Sequence, residues 1–271
     1  MKITVLGYWG AYPGQGEATA GYLLETDKHH ILIDCGSGVL AQLFKYISID
    51  ALDAVFLSHY HHDHVADLGC LQYAVMIGQQ LENTPDARSS AAKSSAANIS
   101  ASKSSSAKSS SAAQALPIYG HQQSPFIPNL SFKNLTAGQE IKAGVPLDLN
   151  GLKVEFMQTV HEEYNLAMRF EYGGKRLVYT GDTGYSEDLI SFMAGADLVI
   201  AESSLYAYQR KQGNGHLTSV EAGELSAKAN IQELVLTHFP HYGDLTSLQT
   251  EAQHVFKGKV QMAATGKTFE I

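Results

Sequence analysis

The chain of 271 residues is sparing with cysteine, tryptophan and basic side chains. Cys35 and Cys70 are its two thiols, each set in an apolar stretch, so a disulfide framework is excluded and two buried thiols in a reducing cytosol are expected. Lys and Arg number 19 against 27 Asp and Glu, and the formal charge of −8 excludes the broad basic footprint of an extended nucleic-acid surface. No apolar run approaches the roughly 20 residues that cross a bilayer. The start, Met1-Lys2-Ile3-Thr4-Val5-Leu6, reads as a short strand rather than a secretion signal. These absences leave a soluble cytoplasmic protein. An apolar fraction of 44% and dispersed glycines suit an α/β chain long enough for one large domain.

Strand patterns occur at 3–6, 20–26, 30–34 and 54–57, with a helix expected from Val39 to about Tyr46 and another from about Asp67 to Leu81. The break at Asp34-Cys35-Gly36-Ser37-Gly38 reads as a structural turn. Between Ala87 and Ala115 the composition collapses to Ser and Ala with little to bury, so ordering entropy has no offset and an inert, weakly structured insertion is expected. Further strands are expected at 116–120, 130–135, 151–158 and 167–172. Gly173-Gly174 turns the last of these into a hairpin with 175–180. Helices then precede Met193, open at Thr218 with Glu221 completing a capping box, and span about Ser247–Phe256, alternating with strands at 197–201 and 234–237. The alternation, with frequent hairpins, suggests two mixed sheets packed together with helices outside.

One run stands apart. Ser58-His59-Tyr60-His61-His62-Asp63-His64 follows the apolar strand Ala54-Val55-Phe56-Leu57. Within it, His59-x-His61-x-Asp63-His64 crowds three imidazoles and a carboxylate behind a hydrophobic strand, which makes sense around a cation, since His nitrogen and Asp oxygen are ordinary zinc ligands. Alternation along an extended chain lets His59 and His61 share one metal. Asp63 and His64, past the turn, reach a second. Matching residues recur at other strand ends: His161 after 154–160, Asp182 after 177–180 and His238 after 234–237, while His216 precedes the capped helix.

With these residues in view, the chain resembles a metallo-β-lactamase-fold hydrolase, of the branch containing ribonuclease Z and its related phosphodiesterases. The resemblance rests on His59-x-His61-x-Asp63-His64, His161, Gly181-Asp182-Thr183, Gly215-His216-Leu217-Thr218 and Leu236-Thr237-His238-Phe239, in the family's order over nearly the whole chain. It implies one domain over residues 1–271, a four-layer αβ/βα sandwich of two mixed β-sheets, with a dinuclear site along one sheet edge. His59, His61 and His161 would hold one divalent ion, Asp63, His64 and His238 the other, and Asp182 would bridge them. Zinc is the first expectation, manganese or iron the alternatives. Two such ions lower the pKa of a bound water from about 15.7 toward 7 and give a nucleophile at neutral pH. The resemblance also makes Asp63 and His216 catalytic, His216 contacting the phosphoryl group and protonating the leaving oxygen, with Glu202 orienting it. Trp9, Tyr206 and Tyr208 are candidates for a base-stacking pocket, and His241 for substrate contact.

The family's tRNA-gripping arm lies between the third histidine and the bridging aspartate. Here Asp182 comes 21 positions after His161, a span consumed by one hairpin. The expected activity is therefore hydrolysis of a small phosphodiester such as a cyclic nucleotide, with no extended nucleic-acid surface and no membrane partner. Precursor-tRNA 3′-end cleavage, lactone or ester hydrolysis, and a non-catalytic module are the alternatives. A homodimer is common in the resembling branch.

Overall fold

The computed structural model describes residues 1–82, 114–210 and 215–271. The Ser/Ala-rich insertion expected at 87–115 lies almost wholly outside the described residues. The chain first lays down β1 (Lys2–Gly7), β2 (Gly21–Glu25), β3 (His30–Ile33), β4 (Ala54–Phe56), β5 (Leu116–Gly120) and β6 (Thr136–Glu140). Between them lie α1 (Val39–Leu43), α2 (His62–Val65) and α3 (Leu68–Glu82). Next come β7 (Leu147–Leu149), β8 (Leu152–Gln158), β9 (Leu166–Tyr172), β10 (Lys175–Tyr179), β11 (Leu198–Glu202), β12 (Glu233–Thr237) and β13 (Lys259–Met262), with β14 (Thr268–Glu270) closing the chain. Helices α4 (Glu187–Met193), α5 (Ser219–Lys228) and α6 (Leu245–Val255) belong to this half.

The strands form two seven-stranded sheets, ordered β14-β1-β2-β3-β4-β5-β6 and β13-β12-β11-β10-β9-β8-β7. Pairing is antiparallel from β14 through β3 and parallel from β3 through β6. The second sheet repeats that pattern, antiparallel from β7 through β10 and parallel from β10 through β13. No sequence repeat announces this; the repetition lives in strand direction alone.

Period-two alternation explains the layers. Tyr22 and Leu24, Ile31 and Ile33, and Ala54 and Phe56 face the second sheet, joining Phe156, Met168 and Phe170. Their neighbours Leu23, Leu32 and Val55 turn outward to pack with Val39, Leu43, Leu71 and Val75 of the helices. Helix α5 begins at the Thr218 N-cap, whose side chain accepts from the Glu221 amide while Glu221 reaches back.

Three sequence expectations are corrected. The stretch 130–135 is a loop: Leu130 sinks into the core, Thr136 Oγ1 donates to its carbonyl at 2.9 Å, and Lys133 takes a left-handed φ of 51°, so β6 begins only at Thr136. Helix α1 stops at Leu43, with turns continuing to Tyr46. Of the two free thiols, Cys35 is buried and Cys70 is exposed. No helix among the described residues is long and apolar enough to cross a membrane.

Phe56 sits fully buried between the sheets, stacked 4.5 Å from Tyr119 and edge-on to Phe170 at 5.7 Å. Phe56→Ala should lower unfolding free energy by about 3–5 kcal/mol through lost transfer and cavity energy, read from the denaturant midpoint. A change below about 1 kcal/mol would mean that this layer is loosely packed.

Candidate metal centre

In both sheets the parallel strands end at the same edge, the usual place for a site in α/β architectures. Asp34, His59 and His64 follow β3 and β4, while Asp182, Glu202 and His238 follow or end β10, β11 and β12. Backbone there is unusual. Asp34 and His238 hold left-handed φ values of 56° and 55°, which non-glycine residues adopt only where the surroundings over-determine them. Gly181 has φ 57°, and a Cβ there would stand 2.6 Å from Asn165 Oδ1. Asn165 in turn donates to the carbonyl of Asp182 at 2.8 Å and pins that loop.

The seven expected ligands are brought together. One ligand atom each from His59, His61, His161 and Asp182 lies within 4.8 Å of the others, and the same holds for Asp63, His64 and His238. His61 Nδ1 lies 3.1 Å from His59 Nε2 and 3.2 Å from His161 Nε2. Asp182 approaches His59 at 3.8 Å and His64 at 3.4 Å. It also stands 3.3 Å from His238, which is 3.1 Å from Asp63. Ligands about 2.05 Å from a tetrahedral centre stand about 3.3 Å apart, so these separations are those of coordination edges. Moreover, His64 Nε2 and Asp182 Oδ1 are buried with no hydrogen-bond partner among the described residues. Native proteins rarely leave such atoms unmatched. Divalent cations fit these donors.

Electrostatics agrees. Burial pushes His59 well toward the neutral form, in which an imidazole lone pair can ligate, and moves His61 the same way. At His64 burial pulls the same way, but the carboxylates of Asp182, Asp34 and Asp63 more than reverse it. Burial raises the Asp182 carboxyl, and the imidazoles of His238 and His64 outweigh it, holding the group ionised.

A second set of side chains aims the first. His161 Nδ1 donates to the Gly215 carbonyl at 2.9 Å, which frees Nε2 for the cluster. Asp34, fully buried, accepts from His64 Nδ1 at 2.8 Å, Ser58 Oγ at 2.8 Å, the Ser58 amide at 2.8 Å and Tyr179 OH at 2.7 Å. Ser204 Oγ lies 2.8 Å from His238 Nδ1 and donates to Glu202 at 2.6 Å. Asp34, Ser58 and Ser204 were not singled out in the sequence. For Asp34 a signal existed, an acid at the end of a strand like Asp182; for the two serines none did.

His216 stands over the cluster, its ring stacked on His238 with centroids 5.6 Å apart and one nitrogen close to Asp182 and His238. Its Nδ1 bonds Glu202 Oε1 at 2.9 Å, and that fully buried carboxylate also accepts from the Thr183 amide at 2.7 Å. Glu202 is the main reason that the His216 imidazole is pushed up to about 10, against the opposing effect of burial.

The aromatic candidates do not form one pocket. His241 lies between Trp9 and Tyr12, stacked at 4.6 Å and 3.6 Å, while Tyr206 is buried with its hydroxyl on the Tyr242 carbonyl and stacks with Tyr208. The Trp9–His241–Tyr12 stack clasps the loop 8–17 onto the site. There the Ala11 amide donates to Asp63 Oδ2 at 2.8 Å, and a Cβ on Gly10 would meet His238 at 2.8 Å.

Asp34→Asn would keep the size of the side chain but turn one acceptor into a donor facing other donors. Affinity for the cation that His64 would hold should fall about 10- to 100-fold in chelator competition. Unchanged affinity would remove Asp34 from the support of the site.

The comparisons with known proteins follow the same lines. The model of the "Beta-lactamase superfamily domain" matches residues 29–239. The probable metallo-hydrolase YhfI of Bacillus subtilis is 38% identical over 271 residues, covering 100% of both chains. The crystal structure of YhfI superposes with a TM-score of 0.86, covering 100% of this chain and 99% of that one. Ribonuclease Z of Picrophilus torridus is 26% identical over 94% of this chain and 91% of its own. The human short-form tRNase Z structure, 20% identical, shares the fold with a TM-score of 0.71 over 100% of this chain and 99% of that one. This chain belongs to the β-lactamase superfamily of metallo-hydrolases.

Proposed function

We propose that the chain is a metal-dependent phosphodiesterase acting on small phosphodiesters such as cyclic nucleotides. The observation that carries this reading is the His216–Glu202 pair, which sets an imidazole bonded to a buried carboxylate beside the ligand cluster. Two divalent cations, when bound, supply an acidified water and neutralise charge developing on the phosphoryl oxygens. His59, His61 and His161 would hold one of them, Asp63, His64 and His238 the other, with Asp182 shared. His216, its Nδ1 committed to Glu202, presents Nε2 to the phosphoryl group and delivers a proton to the leaving oxygen. Glu202 fixes the ring and favours its charged form. Thr183 and Ser204 hold Glu202 in turn.

Support for a small substrate comes from the segment between His161 and Asp182. It is the single hairpin β9–β10, closed by Gly173-Gly174, and the chain carries a net charge of −8. The likeness to ribonuclease Z favours a second reading, precursor-tRNA cleavage.

The metal-loaded protein should hydrolyse 3′,5′- or 2′,3′-cyclic nucleotides or bis(p-nitrophenyl) phosphate. His216→Ala should lower kcat roughly 10²- to 10⁴-fold with little change in bound metal. No turnover of any of these diesters would overturn the proposal. Cleavage of precursor tRNA without small-diester turnover would replace it by the second reading.

A further inference from the structure

A cavity of about 590 Å³ opens beside the metal centre, its wall including His61, Val65, Leu68, Phe126, Pro128 and Glu163. Because His61 belongs both to the ligand cluster and to this wall, the cavity starts where the reacting phosphoryl group would sit. Its size falls within the roughly 300–1,000 Å³ of small-molecule sites. Three features define what fits. Phe126 is 77% exposed, an aromatic face left open on the rim. Val65 and Leu68, from α2 and α3, make the adjoining surface apolar. Glu163, in the same wall, brings a carboxylate. An ionised carboxylate only accepts, so the matching ligand edge must donate.

A flat ring that stacks on an aromatic face, offers an N–H donor and is tethered to a phosphoryl group is a nucleobase. We infer that this cavity seats the base of a nucleotide substrate, stacked on Phe126 with an amino edge turned to Glu163. The inference rests on the phosphodiesterase reading above and adds a preference. Adenine, guanine and cytosine carry exocyclic amines, whereas uracil flanks its one ring N–H with carbonyl oxygens that a carboxylate repels.

Calorimetry on the metal-loaded full chain, with adenosine 5′-monophosphate, uridine 5′-monophosphate and ribose 5-phosphate, tests this. The adenine ligand should bind at least about tenfold tighter than the ribose phosphate, as base–aromatic stacking elsewhere indicates. Phe126→Ala, at a solvent-exposed position, should erase that increment and leave ribose phosphate binding unchanged. Glu163→Gln, whose amide both donates and accepts, should narrow the adenine-over-uracil preference by improving the uridine ligand. Equal binding of all three ligands, or a base increment that survives Phe126→Ala, overturns the pocket while diester turnover keeps the hydrolase reading standing. Absence of both binding and diester turnover overturns the two together.

Discussion

Asp182 is 2% exposed and has the side chains of His59, His64 and His238 within 4 Å. A carboxylate taken that far out of water costs several kcal/mol unless it is paired and fully bonded, and one of its oxygens finds no hydrogen bond at all. That unmet demand is the constraint around which the protein is arranged. Divalent cations would answer it, taking the orphaned oxygen, the orphaned His64 nitrogen and the three imidazole nitrogens that otherwise press lone pairs against one another.

The scaffold meets the demand with two sheets of the same strand pattern, set face to face so that their parallel strands deliver side chains to a common edge. Corresponding strands do corresponding work: Asp34 follows β3 as Asp182 follows β10, one bonded to imidazole and hydroxyl donors, the other shared among the ligands. Left-handed backbone at Asp34 and His238 stores strain where direction matters most. The hydrophobic layers at Phe56, Phe156 and Phe170 keep those strand ends from relaxing. Around the ligands, bonds from Asp34, Ser204 and the Gly215 carbonyl choose which imidazole nitrogen faces inward.

Much of this was legible in the chain because the signals are short-range. The alternation of Tyr22, Leu23 and Leu24 states a strand with two buried faces, and Thr218 with Glu221 states a helix start. The His59–His64 run places His59, His61, Asp63 and His64 within reach of each other by chain geometry alone. Long-range partners were harder to see. His161, Asp182, His216 and His238 stood out as strand-end or pre-helix residues and by family resemblance, yet nothing local says that His161 approaches His61. The Ser204 hydroxyl and the Trp9–His241–Tyr12 stack depend on loops meeting in space, and no residue pattern encodes that. The stretch 130–135 misleads because Leu130, Phe132 and Leu135 alternate like a strand. A left-handed Lys133 instead turns the chain so that Leu130 fills the core.

The proposed chemistry depends on a buried carboxylate shared by two cations. The most direct measurement is metal content by elemental analysis, with anomalous scattering from crystals, for the wild type and Asp182→Ala. Two ions per wild-type chain, flanking Asp182, and the loss of at least one ion from a folded Asp182→Ala variant are predicted. Two ions retained at the same positions without that side chain would show that Asp182 does not bridge them.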